Sequence, residues 1–143
     1  MTTLFLSILT LVLANYPANA KTADVKTYGN AVVSTTDMGA QTPLHVAKIT
    51  YASAVGIEEF SLLAALHMYS VCKNKNLLFG PNDMPTNVTK LSEGVVQFKC
   101  SNDPKLQEGR KTASKTEFLT GACPIIEKDK KYLIDLCNEL QKK

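Results

Sequence analysis

The chain has two histidines, no tryptophan, no closely spaced pair of cysteines and, beyond its first twenty residues, no long apolar run. Each shortage removes a class of protein. A zinc centre wants two close ligand pairs of the C-x2-C or H-x3-5-H kind, whereas Cys72, Cys100, Cys123 and Cys137 follow one another at intervals of 28, 23 and 14 residues. No metal and no cofactor is expected. A nucleophilic cysteine needs an oriented base, and nothing in the sequence brings His45 or His67 to a thiol. Internal repeats and low-complexity tracts are missing, and so is any recognisable catalytic signature.

Charge of one sign is also scarce. The formal net charge is +3, and the late basic residues, Lys105, Arg110, Lys111 and Lys115, then Lys128, Lys130, Lys131, Lys142 and Lys143, are interleaved with Glu and Asp. Such mixing marks a solvated surface, and no aromatic platform accompanies it, so nucleic acid is not an expected partner. Tyr28, Tyr51, Tyr69 and Tyr132 are scattered along the chain, as residues at core edges are. Met38, Met68 and Met84 form no metal-binding cluster.

What is present starts with a secretory signal. Residues 1–20 carry an apolar core from Leu4 to Ala14, a Pro17 breaker and Ala18-Asn19-Ala20 as a small-x-small cleavage site. That core of 11 residues falls well short of the roughly 20 that span a bilayer. Cleavage starts the mature chain at Lys21, leaves no transmembrane segment and places residues 21–143 in the periplasm or outside the cell as one domain. Four cysteines are an even set, and export sends them where disulfides persist.

Periodicity orders the rest. Residues 27–36 are β-branched and polar, a first strand or an extended arm, and Met38-Gly39 to Pro43 break it. From Leu44 the chain alternates, with Ala47, Ile49 and Tyr51 on one face and Lys48 and Thr50 on the other, until Gly56. Residues 57–75 then read as an apolar helix with Glu58 and Glu59 at its start and Lys73 and Lys75 at its end, complementing the macrodipole. One long helix over 44–73 is the competing reading, opposed by Gly56 and by β-branched Ile49-Thr50. A short strand at 76–80, a loop to about Lys90 and a strand ending in Val96, Phe98 and Cys100 follow. Ser114 to Leu119 suit a brief helical turn, and Leu133, Leu136, Cys137 and Leu140 stripe a last helix capped by Asp129.

If the two strands around the loop pair antiparallel, Cys100 returns to the helix end bearing Cys72, within the roughly 7 Å a bridge needs. That favours Cys72 with Cys100 and Cys123 with Cys137. A last helix beginning at Ile125 would favour Cys100 with Cys123 and Cys72 with Cys137 instead.

The element order over residues 45–100, closing in Gly94-Val95-Val96-Gln97-Phe98-Lys99-Cys100, resembles that of small bacterial envelope stress-sensor domains. It departs at Lys73-Asn74-Lys75-Asn76, where a small-residue turn would stand, and no lipid-bearing cysteine follows the signal. The resemblance implies a helix on a sheet and carries no function or site.

The expected fold is α+β: a small single domain with an apolar helix packed on an antiparallel sheet, a C-terminal helix and two disulfides. His67 reads as a packed, hydrogen-bonded core residue and His45 as a strand-edge residue. Adjacent Glu58 and Glu59 point about 100° apart on a helix and cannot flank one bond. Asn87-Val88-Thr89 is a glycosylation sequon. The expected function is a non-enzymatic exported binding module whose partner is a protein or a cell-envelope component. Its contact surface would be the loops at 81–93 and 101–116. The alternative is a small exported hydrolase using His67 or His45 with a nearby carboxylate.

Overall fold

The computed structural model describes residues 23–38, 43–79, 88–107 and 112–142. The signal at 1–20, the loop residues 81–87 with the sequon residue Asn87, and Arg110 lie outside the described residues. Five strands, β1 (Asp24–Tyr28), β2 (Ala31–Asp37), β3 (Leu44–Gly56), β4 (Leu77–Leu78) and β5 (Lys90–Cys100), form one antiparallel sheet in the order β1-β2-β3-β5-β4. Helix α1 (Ile57–Cys72) crosses its inner face. After β5 come α2 (Pro104–Gln107), α3 (Lys115–Ala122), a 3-10 turn (Cys123–Ile125) and α4 (Lys131–Gln141).

Residues 27–36, expected as a single strand or arm, are instead the heart of a hairpin. Tyr28 pairs with Ala31, and Gly29 at φ +55° takes the first central position of a two-residue turn, where a primed turn needs a residue free to adopt positive φ. Beyond this turn the inner face is set by alternation. Ala31, Val33 and Thr35 of β2, Ala47, Ile49 and Tyr51 of β3, and Val96, Phe98 and Cys100 of β5 are all buried. A register shift between Thr50 and Val55 curls β3 just before α1 begins. The sheet so bent wraps a helix that is apolar nearly all round, with Phe60, Leu63, Ala64, Leu66, His67, Met68, Tyr69 and Cys72 buried.

Helix α1 stops at Cys72, short of the expected Lys73 and Lys75, because Lys73 leaves helical geometry at φ 53°. Neither lysine lies in the last helical turn. Asp129 does not cap α4 either; the capping position is Lys130, without a side-chain bond. At α3 the local chemistry is stronger than a brief turn requires. Ser114 accepts from the Glu117 N–H at 3.2 Å and the Glu117 carboxylate accepts from the Ser114 N–H at 3.4 Å, a reciprocal capping box.

Both expected disulfides are present, Cys72–Cys100 with Cα atoms 5.1 Å apart and Cys123–Cys137 with Cα atoms 6.0 Å apart. The first follows from the β4–β5 register, in which Leu77 sits opposite Cys100. The second joins the end of α3 to the buried stripe Leu133, Leu136, Cys137 and Leu140 of α4. Helix α4 runs in the same sense as α1. Lys130 at its entry lies 3.7 Å from Glu59 in the first turn of α1, while Leu136 and Leu140 share a cleft with Ser70 near the end of α1.

Gly94 marks the tightest point of the sheet. A Cβ there would lie 2.7 Å from Cζ of Phe60, a ring that is itself fully buried. Gly94→Ala should therefore cost about 2 kcal/mol, the usual scale for overpacking a core that cannot yield, measured by urea denaturation. A neutral result would mean that the Phe60 ring moves freely.

Candidate functional site

The two histidines come first, because any hydrolase would need one of them. His67 is 1% exposed, and both ring nitrogens are engaged by hydroxyls: Nε2 with Thr35 Oγ1 at 2.6 Å and Nδ1 with Tyr28 Oη at 3.0 Å. In the neutral imidazole one nitrogen donates and the other accepts, and a hydroxyl can play either part. Burial, with a smaller push from the Lys26 ammonium and a weak opposing pull from Asp24, lowers its pKa to about 4. His67 is thus a packed and hydrogen-bonded core residue, as expected.

His45 departs from expectation. Strand β3 lies inside the sheet, and His45 sits opposite Asp37 of β2 and Phe98 of β5, so it is not on an edge. Its ring stacks on Phe98 with centroids 5.2 Å apart. Burial lowers its pKa, Asp37 pulls the other way, and Lys75 adds a small lowering.

The tyrosines are not scattered in space. Tyr51 and Tyr132, 81 residues apart, share a hydroxyl–hydroxyl bond of 2.8 Å, and burial raises the pKa of both. They stand beside a cleft of about 590 Å³ with Glu59, Lys130, Lys131 and Asp135. Both of its lysines meet carboxylates: Lys130 reaches Glu59 at 3.7 Å and Glu127 at 3.6 Å, and Lys131 reaches Asp135 at 2.7 Å. Tyr69 donates to the Ala113 carbonyl at 2.6 Å and stacks on Phe118, which fixes α3 against the end of α1.

A second surface is differently charged. Two adjoining hollows, of about 590 and 310 Å³, share Tyr69, Lys73, Asn74 and Lys115. The larger is completed by Lys26 and Tyr28 of β1, Ser70 of α1, and Leu136, Glu139 and Leu140 of α4. Lys75 and Glu117 line the smaller. No ion pair joins Lys26, Lys73 or Lys115 to a carboxylate among the described residues. Lys73 sits where the hollows meet, at φ 53° and ψ −109°, with the Lys75 N–H donating to the Cys72 carbonyl at 2.9 Å to close a turn around it. That is the first central position of a II′ turn, which favours glycine, and a lysine there costs on the order of 1 kcal/mol or more.

Sequence reading assigned Lys73 and Lys75 to the helix dipole and Lys115 to a mixed surface, and passed over Lys26. The one available signal was Lys73-Asn74-Lys75-Asn76 standing where a small-residue turn belongs. Of the expected contact loops, residues 90–93 belong to β5 and 104–107 to α2. Among the described residues no group of three or more His, Cys, Asp or Glu is placed to hold a metal, and no helix is long and apolar enough to cross a membrane. Comparison with known proteins matches no family model, no curated protein and no solved structure, so the likeness in element order to envelope domains has no relative behind it and the functional reading rests on the geometry.

Proposed function

We propose that residues 21–143 act, after loss of the signal at 1–20, as an exported and non-enzymatic binding module for a protein or cell-envelope component. The observation that carries this reading is the use of His67. Its two nitrogens are committed to Tyr28 and Thr35 in the core, so the buried histidine that a hydrolase could have used serves packing. Two disulfides support the compartment, since structural bridges persist where the cytosolic reductants do not reach. Stapled scaffolds of this size hold surface features rigid for recognition.

The full-length chain, expressed in its own host, should appear in the exported fraction beginning at Lys21 and four hydrogens lighter than its reduced form. Immobilised, it should retain an envelope or secreted component saturably. Material that stays in the cytosol with free thiols would end this reading. The hydrolase alternative keeps one supporting observation, Asp37 facing His45 across the β2–β3 ladder. Turnover in a broad esterase and peptidase screen, lost in His45→Ala, would select it.

A further inference from the structure

The clefts differ in what their charges do. Beside Tyr51 and Tyr132 every lysine already meets a carboxylate. The groove of Leu62, Ala65, Met68, Phe79 and Phe118 has no charged lining group. At the end of α1, by contrast, Lys26, Lys73, Lys75 and Lys115 face Glu117 and Glu139, an excess of two positive charges. Glu117 is held in the capping box of α3.

We propose that the junction of the two hollows binds a phosphate ester through the ammonium groups of Lys26, Lys73 and Lys115. The inference rests on the binding-module reading and names its ligand class. Three point charges arrive from three separate elements, β1, the exit of α1 and the start of α3. A tetrahedral oxyanion offers acceptor oxygens in as many directions, whereas a planar carboxylate offers two in one plane. The Asn74 amide adds a neutral donor, and Leu136 and Leu140 form an apolar wall for the organic part of the ester. Lys73 gives the independent sign. Glycine would relieve its backbone, yet a lysine stands there, at a strained position that lines both hollows.

The strain makes the test unusually clean, because Lys73→Gly should separate binding from folding. The mature, disulfide-intact chain is labelled with nitrogen-15 and titrated with glycerol phosphate at fixed ionic strength. In a parallel arm it is mixed with vesicles of phosphatidylglycerol or of phosphatidylcholine. Amide shifts should centre on Lys73, Asn74 and Lys115. Lys73→Gly should bind about tenfold more weakly, the usual worth of one charge-assisted contact, while its Tm holds or rises. Lys26→Gln and Lys115→Gln, both surface changes, should weaken binding to a similar degree. Saturation by the soluble ester alone assigns a free phosphate ester, and response to phosphatidylglycerol but not phosphatidylcholine assigns a lipid headgroup; either supports the site. Shifts that spread evenly to Lys131, or a Lys73→Gly chain that binds as the parent does, would overturn it. If neither arm responds but the chain still retains its envelope component, this inference fails and the binding-module reading stands.

Discussion

Reduction of the two disulfides should bring the chain to the edge of unfolding at room temperature. In the chain-entropy account, closing a 28-residue loop with Cys72–Cys100 is worth about 3.5 kcal/mol, and closing a 14-residue loop with Cys123–Cys137 about 3 kcal/mol. Together that is about 6.5 kcal/mol against a total stability of about 5–15 for a domain of this size. The positions amplify the loss. Cys72, Cys100 and Cys137 are buried among the core side chains, so each thiol pair left behind must still pack where a bond held two elements together. Urea denaturation with and without a strong reductant measures the effect, and the paired Cys72→Ala/Cys100→Ala and Cys123→Ala/Cys137→Ala chains apportion it. The first pair should cost more, because it ties the helix to the sheet across the longer loop. A midpoint that reduction moves by the equivalent of less than about 1 kcal/mol would show that the core is sufficient without its bridges.

How these bridges were legible, and other features were not, comes down to the range of the signal. Cys72–Cys100 could be read because a hairpin register is a local rule: once β4 and β5 pair, Leu77 falls opposite Cys100 and Cys72 is five residues away. The inner faces of β3 and β5 were likewise written in alternation of apolar and polar residues. β1 carried no such pattern, since Asp24, Val25, Lys26 and Thr27 are all exposed, and the Gly29-Asn30 turn was hidden inside what looked like one extended run. His45 was misplaced for a related reason. Its neighbours Pro43 and Leu44 suggest a strand margin, but strand order is a tertiary property, and β2 and β5 enclose β3 on both sides.

The candidate site was the least legible part. Lys26, Lys73 and Lys115 are spread over most of the mature chain, and only the β1–β2 hairpin and the docking of α3 through Tyr69, Ala113 and Phe118 bring them to one cleft. The Tyr51–Tyr132 bond depends in the same way on α4 lying alongside α1. Charge complementarity between residues so far apart in sequence leaves no periodic trace. What sequence did offer was a local misfit, lysine at a turn that favours glycine, and such misfits are where folding rules and functional demands diverge.

Stability should fall steeply as the medium is acidified from neutral to pH 5, and His67 should be the main cause. Its folded pKa of about 4 lies below the ordinary 6.5 of the unfolded chain, so the native state favours the neutral ring. The stabilisation this represents is complete above pH 6.5 and is lost as pH falls through 4, below which both states carry the proton. The full difference is on the order of 3 kcal/mol, of which about 2 should be gone by pH 5. The physical reason lies in the partners. Thr35 and Tyr28 can accept from an imidazolium but bring no negative charge, and the nearest carboxylate influence, Asp24, is outweighed by burial and by Lys26. His45, shifted in the same direction, adds to the trend. His67→Gln keeps an amide in place of the ring and removes the titration, so its stability, lower at pH 7, should change much less between pH 7 and 5. Urea midpoints for the parent and His67→Gln chains at the two pH values give the comparison. Equal stability of the parent at pH 7 and pH 5 would mean that the proton enters the core without penalty, and that His67 is reachable enough by water or charge to serve as a base after all.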